Sequence, residues 1–156
     1  SRVRPYVRYF HSSQHVNDLA TGEICVSFSW SGLVLQARAR GKAAATPVEV
    51  AYVIPKEGTT IWFDLAAIPA DAPHPGNAHI FLNFLLEPEV IAGISNEIGY
   101  ANGNAASLPF VSDELRNDPG VYPTEEVWKN LHRSGLKSQE FSRAQNRAWT
   151  RIKTGQ

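Results

Sequence analysis

Three short runs rich in β-branched and aromatic residues punctuate the first half of the chain: "EICVSFSW" (23–30), "PVEVAYVIP" (47–55) and "IWFDLAAIP" (61–69). Runs of this length bounded by Gly or Pro predict strands, because Pro cannot donate to a ladder and ends the element. Between the first two lies "LVLQARARGKAAA" (33–45), which reads as a helix with a basic outer face. Strands alternating with helices define an α/β class with a largely parallel sheet.

The remaining periodicity is helical. "SSQHVNDLATGE" (12–23) predicts a short helix capped by Ser12 or Ser13, with Val16 and Leu19 facing inward and Gly22 as its stop. In "GNAHIFLNFLLEPEVIAGISNEIGY" (76–100), Ile80, Phe81, Phe84 and Leu85 recur at helical spacing. Pro88 suits the first turn of a second helix, so two consecutive helices are expected there. "SDELRNDPGVYP" (112–123) predicts a short helix and a turn, and Thr124 an N-cap for a helix over 124–132. An Arg-rich helix follows at about 138–153, ending before Gly155.

Composition narrows the function. Lys+Arg and Asp+Glu both total 15, so the chain lacks the basic excess of a nucleic-acid binder. The single cysteine, Cys25, has no disulfide partner in the chain and no Cys/His spacing around it; its neighbours predict a buried strand thiol. No apolar run reaches the length of a membrane span. "SRVRPYV" lacks the apolar core of a signal peptide, and no Met occurs at position 1 or elsewhere, so the chain is expected to begin inside a longer product.

Enzymatic signatures are missing. There is no P-loop, no G-x-G-x-x-G and no G-x-S-x-G. His74 and His79 have no carboxylate at ligand spacing and read as surface residues, with no metal or other cofactor implied. His11 beside Ser12 and Ser13 has no glycine-framed elbow to make a nucleophile of either serine.

One residue breaks the pattern. Asp64 stands inside an apolar run, two residues after Trp62, and on a strand that spacing puts both on one face. Trp30 ends a strand just before Ser31 and Gly32, and Tyr100 stands just before the "ANGN" loop. In open α/β sheets ligands bind at the carboxyl ends of strands. A carboxylate beside aromatic faces suits an organic cation: each ring contributes roughly 0.5–2 kcal/mol. An ammonium about 4 Å from a carboxylate gains about 4 kcal/mol at an effective dielectric near 20, before desolvation. From the residues alone, an Arg or Lys elsewhere in the chain satisfies Asp64 equally well, and pairing is the default for a buried charge.

Five blocks, in order, carry a resemblance: "RPYVRYFHSSQHVNDLATGEICVSFSWSG", "YVIPKEGTTIWFDLAAIPADA", "FLNFLLEPEVIAGISNEIGYANGNAA", "NDPGVYPTEEV" and "RAWTRIKTGQ". Together they resemble the C-terminal part of the bacterial periplasmic polyamine-binding proteins, the putrescine and spermidine receptors of ABC importers. The resemblance implies part of a type II periplasmic-binding-protein fold, truncated at its N-terminus, with polyamine bound between two lobes. By it, residues 1–62 belong to the C-terminal lobe, 63–110 cross into the N-terminal lobe, and 111–156 return.

It implies roles as well. Trp30 looks like the cleft tryptophan that stacks on the methylene chain, Trp62 like the second aromatic wall, Asp64 like the carboxylate for an ammonium, and Tyr100 like the cleft tyrosine. The partners it implies are a polyamine and, for the full-length protein, the importer's membrane subunits. Putrescine-type members carry an aspartate in a W-[AS]-G-D block where this chain has Leu33. Leu33 and Trp62 lean toward the spermidine type, while "RPYVRYFHSS" looks more like the putrescine type. Less than half of a full receptor is represented, so apolar helix faces at Phe81, Leu85 and Ile91 are expected to lie uncovered and to drive dimerisation, by segment exchange, or pairing with a partner chain.

Overall fold

The computed structural model describes residues 2–155; Ser1 and Gln156, the outer ends of the first and third expected segments, lie outside the described residues. After a 3₁₀ turn at Arg4–Tyr6 come helices α1 (His15–Ala20) and α2 (Ser31–Ala43). Strand β1 (Thr59–Thr60) is followed by α3 (Pro75–Leu85), α4 (Pro88–Ile98) and a 3₁₀ segment, Ala105–Phe110. Then come α5 (Asp113–Arg116), α6 (Glu125–Trp128), β2 (Leu131–His132) and α7 (Gln139–Thr154).

The helices form where periodicity and end signals agree. Pro75 and Pro88 open α3 and α4, where a missing N–H costs nothing. The two axes bend by 72° at the break, and among the described residues no single helix is long and apolar enough to cross a membrane. Gly99 closes α4 at φ +73°, a left-handed conformation that glycine adopts without strain. Thr124 and Ser138 cap α6 and α7 by accepting from the Val127 and Phe141 N–H groups.

Two small clusters hold these helices. Val16, Val34, Ala37 and Val50 form the first, with Leu19, Leu33, Val48 and Tyr52 packed against it. Ala92, Val111, Leu115 and Val121 form the second, with Leu35 and Tyr122. Helix α2 serves both, Val34 and Ala37 on one side and Leu35 on the other. Asp118 ties the same helix to the chain after α5: its carboxylate lies 2.9 Å from Arg38 Nη1 and accepts from the Gly120 N–H at 2.8 Å. Arg38 Nε donates to the Val50 carbonyl at 3.0 Å, fixing the segment 47–55 to α2.

The predicted strands need correcting. Among the described residues, the one ladder is parallel and pairs Thr59 with Leu131 and Thr60 with His132. Residues 23–30, 47–55 and 61–69 form neither helix nor ladder, making isolated backbone bonds such as Ile24 N to Asp18 O and Ile61 N to His132 O. A parallel strand needs a neighbour from a distant segment, and none of the described residues supplies one. For the same reason Cys25 is exposed rather than buried, as are Val26 and Phe28. Strand β2 and the residues before it also shorten the helix expected over 124–132, which stops at Trp128. Helix α3 buries no residue; Phe81 is exposed, while Leu85 and Ile91 are half-buried.

Candidate functional site

The site is assembled on the first turn of α2. Trp30 is the N-cap residue, extended at φ −81° and ψ 147°, and its carbonyl accepts the first helical bond from the Val34 N–H at 3.2 Å. Its ring is half-exposed. Two residues on, Gly32 has no side chain, and the Tyr100 ring occupies that space: a Cβ there would fall 2.2 Å from a ring carbon. Gly99, just before Tyr100, also packs closely, its missing Cβ 3.0 Å from the Leu35 side chain.

The loop after Tyr100 is held by polar side chains. Asn102 Nδ2 donates to Ser95 Oγ at 2.9 Å, and Asn102 Oδ1 accepts from the Asn104 N–H at 2.9 Å. Ser107, fully buried, places its hydroxyl 2.9 Å from the same Oδ1. Asn104 Nδ2 reaches back to the Leu86 carbonyl at 2.7 Å, at the end of α3. This network explains why "ANGN" follows the tyrosine: short amides satisfy a backbone that is in neither helix nor strand.

Asp64 and Trp62 lie on the run 61–69. The Trp62 indole Nε1–H donates to Asp64 Oδ1 at 3.1 Å, so the two side chains share a side as their spacing predicts. Both are exposed, and among the described residues Asp64 has no Arg or Lys partner. A structural salt bridge is therefore not what this carboxylate makes. Its charge acts on Tyr100. Burial pushes the phenol above its usual pKa near 10, the Leu33 backbone N–H pulls it back, and Asp64 raises it further.

Trp62 bonds Asp64, the Asp64 charge is felt at the Tyr100 phenol, and Tyr100 lies on α2 at Gly32. Trp30 joins them through the α2 backbone; its ring forms no aromatic pair with the others among the described residues. Two neighbours escaped the sequence reading. Tyr52, half-buried against the first apolar cluster and close enough to Tyr100 for the two phenols to interact, carries no motif to mark it. Gly32 stands in the sequence only as the glycine after Trp30 and Ser31, whereas its lack of a side chain seats Tyr100. Leu33 packs on the first apolar cluster and brings no charge to the site. An open hollow of about 550 Å³ is lined by Leu131, His132, Arg133, Ser134 and Gly135, and by none of these residues.

An exposed carboxylate bonded to an indole is a group that a cationic solute can use, and comparison gives the chain a family. A model of the bacterial extracellular solute-binding proteins matches residues 3–124, and the chain belongs to that family. The putrescine-binding periplasmic protein SpuD of Pseudomonas aeruginosa (strain UCBPP-PA14) is 48% identical over 154 residues, 99% of this chain and 42% of SpuD. The putrescine-binding periplasmic protein PotF of Escherichia coli (strain K12) is 47% identical over the same shares. The spermidine/putrescine-binding periplasmic protein of the same organism is 36% identical over 129 residues, 83% of this chain and 35% of that one. These relatives are binding proteins, not enzymes, and the chain spans about 42% of the length of the first two.

Proposed function

We propose that this chain is the C-terminal portion of a polyamine receptor of an ABC importer, working in the periplasm and handing its ligand to the importer's membrane subunits. Asp64 takes one terminal ammonium, while Trp30, Trp62 and Tyr100 enclose the methylene chain. The observation that carries this reading is the state of Asp64: an exposed carboxylate, bonded to an indole N–H and unpaired by any cation among the described residues. Among the described residues its bonded neighbour is Trp62, whose ring offers the aromatic face that suits an alkylammonium beside the carboxylate.

Identity is higher to the two putrescine-binding relatives than to the spermidine/putrescine one. That supports a short diamine, against the lean toward spermidine drawn from Leu33 and Trp62. Calorimetry with putrescine and spermidine, on the wild type and Asp64→Asn, tests the assignment. Heat with at least one amine, lost in the variant, is expected; no heat with either amine sinks polyamine recognition by this chain.

A second reading has its own observation. Ile80, Phe81 and Phe84 on α3, with Val26 and Phe28 on the first extended run, are exposed. Apolar area of this kind favours association, as an interaction or oligomerisation piece that keeps the fold without binding ligand, through a dimer or exchanged segments. Light scattering at micromolar concentration decides it: a sharp monomer peak removes this reading.

A further inference from the structure

Histidine 15 is buried, 4% exposed, and has no place in the recognition site as described. It opens α1, whose neighbours Val16 and Ala20 are buried too. Its Nε2 lies 2.6 Å from the hydroxyl of Ser29. Ser29 directly precedes Trp30, and the same hydroxyl lies 3.4 Å from the Trp30 carbonyl. That carbonyl accepts the first bond of α2 from Val34. A hydroxyl has one proton to give and can accept as well. If the Ser29 O–H is directed at the carbonyl, the proton between His15 and Ser29 belongs to the imidazole.

We infer that His15 is a positioning residue for Trp30: as the Nε2–H tautomer it donates to Ser29 Oγ, and Ser29 donates to the Trp30 carbonyl, anchoring the cleft tryptophan to α1. The inference rests on the amine-receptor reading for its functional meaning, but its geometry stands without it. Trp30 needs such an anchor. It is an N-cap residue whose own side chain caps nothing, it follows an extended run without ladder bonds, and its ring has no aromatic partner among the described residues. The anchor is rigid because α1 and α2 share the Val16, Val34 and Ala37 cluster, so the histidine and the helix it serves move together. Such a chain of bonds fixes the backbone from which the Trp30 ring projects.

The test uses Ser29→Ala, which deletes one hydroxyl, with Ser29→Thr as the conservative variant and His15→Gln as a second donor. In ¹⁵N-labelled wild type, long-range ring correlations show His15 as the Nε2–H tautomer; an Nδ1–H tautomer overturns the inference. In Ser29→Ala the Trp30 indole resonance shifts or broadens while those of Trp62, Trp128 and Trp149 stay in place, and Ser29→Thr restores it. An unmoved Trp30 signal overturns the inference whether or not an amine binds.

Titration with putrescine and spermidine adds the functional arm. Ser29→Ala weakens binding about fivefold, the size of one neutral hydrogen bond, and lowers the melting temperature because buried His15 loses its partner, while His15→Gln, which keeps a donor, retains part of the wild-type affinity. Asp64→Asn runs alongside. If it abolishes binding while Ser29→Ala binds like the wild type, the receptor reading stands and the positioning role falls. If Asp64→Asn binds like the wild type, the receptor reading itself has failed, and the resonance arm still decides His15.

Discussion

The Tyr100 ring lies directly on the Cα of Gly32, with three ring carbons inside the space a side chain would fill, the nearest 2.2 Å from an ideal Cβ. Two elements more than sixty residues apart are thereby locked together at the first turn of α2. Gly32→Ala must push the ring aside, and a strained insertion of this kind costs roughly 1–3 kcal/mol. Denaturant unfolding is expected to show that loss. Gly76→Ala is the contrast: it lies in α3 with nothing within 4 Å of its Cβ, and a helix gains up to about 1 kcal/mol from the change. Equal stability of the two variants would remove Tyr100 from the α2 surface.

Asp64 should be visible through a phenol. Its charge raises the Tyr100 pKa, behind the larger effect of burial. Asp64→Asn therefore lowers that pKa, read as an earlier rise in tyrosinate absorbance during alkaline titration; no movement would separate the two residues.

Stability follows the same groups at high pH. Burial holds the phenols of both Tyr52 and Tyr100 above the value near 10 that they have in the unfolded chain. Below that value both states keep these protons and the contribution is intact. As pH rises past it, the unfolded chain loses the protons first, so folding weakens. Urea unfolding at pH 9 and pH 11 should give the lower midpoint at pH 11, with a smaller fall in Tyr100→Phe.

Asp118 is expected to matter more than its surface position suggests. It joins Arg38 on α2 to the Gly120 turn, and Arg38 carries the Val50 carbonyl as well. The pair is largely but not fully buried, so its loss should fall between an exposed pair, under about 1 kcal/mol, and a buried one, about 3–5 kcal/mol. Asp118→Ala should cost about 2 kcal/mol in urea unfolding. A change near zero would make the bridge an ornament of the surface.

Cys25 gives a chemical check on the unladdered run. Exposed as it is, it should react with a chromogenic thiol reagent in native buffer at nearly its rate in urea. Protection of tenfold or more would restore the buried strand thiol that the sequence predicts.

Local chemistry made much of this chain readable. Pro88, Gly99, Thr124, Ser138 and Gly155 are helix-end signals that act within a few residues, and each stands where a helix begins or ends. Trp62 and Asp64 meet because a two-residue spacing on an extended chain leaves them no other side. What was illegible is non-local. Residues 23–30, 47–55 and 61–69 have strand composition, but a ladder depends on a partner, and composition does not say whether one arrives. Gly32 and Tyr52 matter only because Tyr100 folds back on them from a distant segment. Asp64 looked like a candidate for an internal salt bridge because the cost of burial was assumed; it is exposed, and that cost never arises.

The unladdered run from Ile24 to Trp30 also sets a clock. Backbone N–H groups outside a ladder exchange their hydrogens with water without waiting for any unfolding event. Through this stretch, among the described residues, the only backbone–backbone bonds are Ile24 N to Asp18 O and, at its end, Val34 N to Trp30 O. Residues 25–30, leading to Trp30, should therefore take up deuterium early, while Val34 and Ala37, four and seven residues on, remain protected.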